Sequence, residues 1–102
     1  MDRREIDELN KKMSSTIDLV GNIFGYEVKL IGNNRLAIRS LYAFDEDDVF
    51  IITVTKNGMQ LDMNDYLKKF EKERKLYLDG AKSLGAFLSA VTLSLFEKNT
   101  FQ

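Results

Sequence analysis

SLGAFLSAVTLSLFEKNTFQ, residues 83–102, decides how the rest of the chain must be arranged. It has no proline and one internal glycine, Gly85, and it reads as a helix with Ser83 as its N-cap. Leu84, Phe87, Leu88, Val91 and Leu95 form one stripe at helical spacing, while Leu93 and Phe96 point elsewhere. A helix that is apolar over most of its circumference is buried on more than one face. This one is expected to lie against the rest of its domain and against another subunit.

Working back from it, residues 65–78 read as a second helix, with Asn64 as its cap and Asp79-Gly80 as its stop. Tyr66, Leu67, Phe70, Tyr77 and Leu78 form its apolar face. Lys68, Lys69, Glu71, Lys72, Glu73, Arg74 and Lys75 form the solvated one, with Glu71 and Lys75 spaced to pair. Upstream the period changes to two. VFIITVT, residues 49–55, is wholly β-branched or aromatic, the most pronounced strand signal in the chain. Lys56-Asn57-Gly58 follows as a hairpin turn whose Asn-Gly pair can take positive φ, and residues 59–63 alternate as a further strand. Tyr26, Val28 and Leu30 alternate before the Gly32-Asn33-Asn34 turn. Leu36, Ile38 and Leu41-Tyr42 then make another strand, followed by the acidic loop 44–48. The expected fold class is α+β: an N-terminal helix, a four-stranded antiparallel meander and two C-terminal helices.

The first helix, residues 2–24, has a different pattern. Ile6, Leu9, Met13, Thr16, Val20 and Ile23 recur at alternating spacings of three and four, a heptad seam. Charged residues occupy the outer positions. One reading is the end of a parallel two-stranded coiled coil, residues 1–24, feeding a head of residues 25–102; the other is a helix packed on its own domain. Gly21 is expected to loosen this helix and Gly25 to end it.

With 102 residues, 44% hydrophobic and 30% charged, the chain has the composition of one globular domain. A net charge of −1 makes no electrostatic case for nucleic acid or an anionic membrane. The N-terminal MDRREIDELN lacks the features of a secretory leader, and no apolar run reaches membrane-spanning length. Without Cys or His there is no thiol nucleophile, disulfide or zinc-thiolate site, and the commonest general base is missing. Their absence counts against a catalytic or transition-metal site. Asp45 to Asp48 run consecutively with no glycine-containing turn, so a solvated loop fits better than a calcium or magnesium site. Arg3-Arg4 and Lys11-Lys12 form a basic stripe on the first helix, interleaved with Asp2, Glu5, Asp7 and Glu8. It reads either as ordinary coiled-coil surface or as an anion or phosphopeptide contact, since guanidinium forks suit phosphate.

Several short stretches carry a resemblance. Ala86-Phe87-Leu88-Ser89, Thr92-Leu93, Leu95-Phe96 and Thr100 resemble the end of the mitotic arrest deficient one family. Gly25-Tyr26, Ser40-Leu41-Tyr42-Ala43 and Met59-Gln60-Leu61 fall where that family's C-terminal domain has GY, SLYA and MQL. Gly85 departs from it, standing where relatives often carry proline. The resemblance implies a homodimer in which a parallel coiled coil, with Ile6, Leu9, Met13, Val20 and Ile23 as its seam, enters an RWD-like head. It implies a non-enzymatic spindle-checkpoint scaffold without cofactors, located in the nucleus and at the kinetochore in mitosis. Its implied partners are a threonine-phosphorylated segment of the kinase budding uninhibited by benzimidazole one and other kinetochore or checkpoint proteins. The family's Arg-Leu-Lys kinase contact falls on Arg4-Glu5-Ile6, so only Arg4 is carried over, with Arg3 beside it. Two further readings stay open: another RWD-type kinetochore subunit, and a small hydrolase or ligand-binding α+β domain using Asp45 or Asp47.

Overall fold

The structure is a computed structural model that describes residues 2–100. Met1, Phe101 and Gln102, the outer limits of the expected first and last helices, lie outside the described residues. Helix α1 (Arg3–Phe24) leads into a sheet of β1 (Tyr26–Gly32), β2 (Arg35–Ser40), β3 (Phe50–Thr55) and β4 (Gly58–Leu61). There follow the short helices α2 (Asp65–Lys68) and α3 (Glu71–Glu73), a π-helical segment (Arg74–Gly80) and α4 (Leu84–Thr100). The strands pair consecutively and antiparallel in the order β1-β2-β3-β4. This is the expected α+β arrangement.

Strand alternation sorts the sheet into two faces. Tyr26, Ile38, Phe50 and Ile52 are buried on one face, and their register (Tyr26 opposite Ser40, Ile38 opposite Phe50) keeps them in one layer. Phe87, Val91 and Leu95 of α4 pack onto that layer and are almost completely buried. Leu84 and Leu88 extend the contact to Tyr26, Ile38 and Ile52. Leu93 and Phe96 are exposed, as the spacing requires. The opposite face carries Glu27, whose carboxylate receives Lys29 at 3.2 Å and Arg39 at 3.1 Å. Those two hydrogen bonds, Lys29 first, hold the Glu27 carboxyl below its ordinary range.

Four local expectations change. β2 ends at Ser40 rather than running through Leu41-Tyr42: the Tyr42 N–H donates to Ser40 Oγ (3.1 Å) and the Ala43 N–H to the Ser40 carbonyl (3.1 Å), which turns the chain. In the β3–β4 turn only Gly58 takes positive φ (124°), and Asn57 does not; its N–H donates to Thr55 Oγ1 at 3.3 Å. The helix expected over 65–78 is broken at Lys69 and Phe70, where Phe70 turns inward to lie 5.2 Å from Tyr66 and 5.8 Å from Phe50 between ring centroids. The Ala81 N–H then closes a wide turn on the Leu76 carbonyl (3.2 Å), and the adjacent Tyr77 and Leu78 both rest on the core. The winding passes through Gly80, and Lys82, at φ 53°, makes the reversal into α4.

The caps hold these elements to the sheet. Asn64 Oδ1 accepts the Leu67 N–H (2.8 Å) while its Nδ2 donates to the Val49 carbonyl (3.0 Å), so the start of α2 is tied to the residue before β3. Ser83 Oγ accepts the Ala86 N–H at 3.1 Å, as expected of an N-cap. Tyr26 Oη donates to the Leu88 carbonyl (2.6 Å), fixing α4 along β1, and burial raises the pKa of that phenol.

The fourth change concerns Gly21. The helix runs through it without interruption, and it is the one residue of α1 that is buried. A Cβ there would collide with the Tyr26 carbonyl oxygen. Gly21 therefore allows β1 to fold back tightly beneath α1 after Gly25 turns the chain at φ 81°. Gly21→Ala is expected to lower stability by about 2 kcal/mol in urea denaturation, because overpacking against backbone outweighs alanine's helix gain of about 1 kcal/mol.

Candidate partner-binding site

Helix α1 has a head only at its C-terminal end. Its 22 residues span about 33 Å, and every side chain from Asp2 to Val20 is exposed. It packs chiefly against β1. Ile6, Leu9, Met13, Val20 and Ile23 are between 44% and 76% exposed, so the heptad seam is apolar and uncovered along its length. The expectation that this helix packs on its own domain therefore fails for the seam. Thr16, the polar member of the stripe, donates its hydroxyl back to the Lys12 carbonyl (2.8 Å), which leaves its methyl available on the seam.

Arg3 and Arg4 occupy the first turn of α1, after the Asp2 cap, whose carboxylate accepts the Glu5 N–H at 2.9 Å. Both arginines are exposed, and neither has a hydrogen bond or ion pair among the described residues. They lie outside the a and d positions, so pairing through the seam would leave both guanidinium groups accessible to an anion. Most cations of the solvated face over residues 68–75 are engaged within the chain. Lys68 pairs with Asp65 (3.8 Å), Lys75 with Glu71 (3.2 Å) and Arg74 with Asp79 (3.5 Å), while Lys69 lies 5.8 Å over the Tyr66 ring.

The carboxylates of the acidic loop do not converge. Asp45, Glu46 and Asp47 are exposed, and Asp48 Oδ2 accepts the Asp45 N–H at 3.2 Å. Among the described residues no cluster of three His, Cys, Asp or Glu side chains is placed to hold a metal ion. No described helix is long and apolar enough to cross a membrane.

Periodicity alone did not reveal a groove beside the seam. Ile17, Val20, Gly21 and Phe24 of α1 face Tyr26, Val28, Ile38 and Leu88 across an apolar cavity of about 410 Å³. The signal for it was the pair of apolar residues on one flank of the a and d positions in the second half of α1, Ile17 and Phe24.

An α+β head bearing a projecting helix with a bare apolar seam has the form of a protein-interaction module. Residues 5–100 match the family described as Mitotic checkpoint protein (MAD), and the chain belongs to that family. It is 28% identical over 82 residues to the spindle assembly checkpoint component mad1 of Schizosaccharomyces pombe. That match covers 80% of this chain and 12% of the relative.

Proposed function

We propose that the chain is a non-enzymatic scaffold domain of the spindle assembly checkpoint that acts as a parallel homodimer. Residues 1–24 form the end of the coiled coil and residues 25–102 the RWD-like head. The observation that carries this is the uncovered seam of Ile6, Leu9, Met13, Val20 and Ile23 on a helix that projects from its head. Such a stripe in water is costly, and a second copy in register buries it. Arg3 and Arg4 would then appear twice, once on each helix of the coil, as a dock for a phosphorylated segment of the checkpoint kinase budding uninhibited by benzimidazole one. Docking brings the domain to the kinetochore in mitosis, where it supports assembly of the mitotic checkpoint complex.

Sedimentation equilibrium tests the dimer: the expected mass is twice the 11.8 kDa of the chain, and a monomer at micromolar concentration refutes it. Fluorescence anisotropy with phosphorylated and unphosphorylated kinase peptides tests the docking. Binding is expected only with phosphate, and Arg3→Ala with Arg4→Ala is expected to weaken it tenfold or more, at about 1.5 kcal/mol or more per charged hydrogen bond. Equal binding by the double variant places the dock elsewhere.

A further inference from the structure

We infer that the groove between α1 and the head is closed by the other copy of this chain, with Leu19 of the partner subunit seated against Phe24. This inference rests on the parallel dimer proposed above. It makes each head a composite of two chains rather than a unit hung on a coil.

Three observations converge on it. The first is continuity: Val20 belongs both to the seam and to the groove, so the groove opens directly from the dimer axis. The second is the heptad pattern. With Ile6, Met13 and Val20 at a, the early flanking positions are polar: Arg3 and Asn10 at e, Glu5 and Lys12 at g. The later ones are apolar: Ile17 and Phe24 at e, Leu19 at g. The change falls where α1 runs alongside the sheet.

The third is direction. In a parallel coil the g side of one helix faces the e side of the other. Ile17 and Phe24 line the groove, whereas Leu19 lies on the opposite flank of its own helix and does not line it. Leu19 is 64% exposed and Phe24 71%. Neither is covered within its own chain, and two-fold pairing brings each against the other. The same pairing sets the stem of Lys12 against Ile17. Thr16 is the polar member of the seam, and the groove contacts beside it add apolar burial.

The chain contains no cysteine, so single thiols report contacts without interference. Chains carrying Leu19→Cys and chains carrying Phe24→Cys are refolded together and treated with a short bifunctional thiol reagent. A covalent dimer is expected from the mixture and not from either chain alone, since like flanks lie on opposite sides of a parallel coil. Both positions are exposed in the single chain, so neither substitution disturbs the head's core.

Leu9→Cys, a seam residue that meets its own copy in a parallel dimer, is the reference. If Leu9→Cys cross-links and the mixture does not, the dimer stands and the groove belongs to some other occupant. That result overturns the inference alone. If Leu9→Cys also fails, the parallel dimer falls and the inference falls with it. Equal products from either single chain would likewise overturn it, because they would place like flanks together.

Discussion

Leu9→Glu combined with Met13→Glu is expected to turn the proposed dimer into a monomer while leaving the head folded. Leu9 is 47% exposed and Met13 56% exposed in the single chain, so dimerisation buries about the remaining half of each. At about 0.8 kcal/mol for half of a large apolar side chain, four such side chains across the two copies contribute about 3 kcal/mol. Losing them weakens the dimer roughly a hundredfold, before four carboxylates are crowded at one interface. Sedimentation velocity across a concentration series reads the change. Far-UV circular dichroism of the head is expected to persist, because neither residue touches the core clusters. A double variant that stays dimeric would move the interface away from this seam.

Phe87→Ala acts at the other end of the molecule and on folding itself. Phe87 is fully buried, its ring centroid 5.4 Å from that of Phe50, and Phe50 in turn lies 4.9 Å from Tyr66. Removing the ring leaves a cavity where α4, the sheet and the α2 region meet. A buried Phe→Ala change costs about 3–5 kcal/mol, a large share of the roughly 5–15 kcal/mol that holds a domain together. The variant is expected to unfold far earlier in urea than the parent. Leu93→Ala on the same helix is the contrast. Leu93 is 63% exposed, and its loss is expected to stay within about 0.5 kcal/mol. A larger loss at Leu93 would mean that a partner covers the outer side of α4.

Tyr66 shows what the core tolerates. Its hydroxyl is buried without a hydrogen-bond partner in the described structure. Burial, with the nearby Asp48 charge, pushes its pKa up to about 12. The ring is nevertheless held in the aromatic cluster by Phe50 and Phe70. Packing of the ring thus outweighs an unmet hydroxyl, whose cost is about 1–3 kcal/mol.

The sequence by itself determined the element order, the apolar stripe of α4, the caps at Asn64 and Ser83, the end of α1 at Gly25 and the apolar stripe of α1. All of these are written in residues a few positions apart, where helical and strand periods and capping chemistry act. Only the tertiary structure decided where the expected second helix breaks, because Phe70 answers to Phe50 on a distant strand. It also decided what Gly21 is for. The residue's small size matters only because the Tyr26 backbone returns beneath it. The groove is likewise a tertiary product, since Phe24 and Leu88 face one another only after the sheet has formed and Tyr26 has bound the Leu88 carbonyl. Local periods are set by neighbouring residues, whereas close approach is set by residues more than sixty positions away.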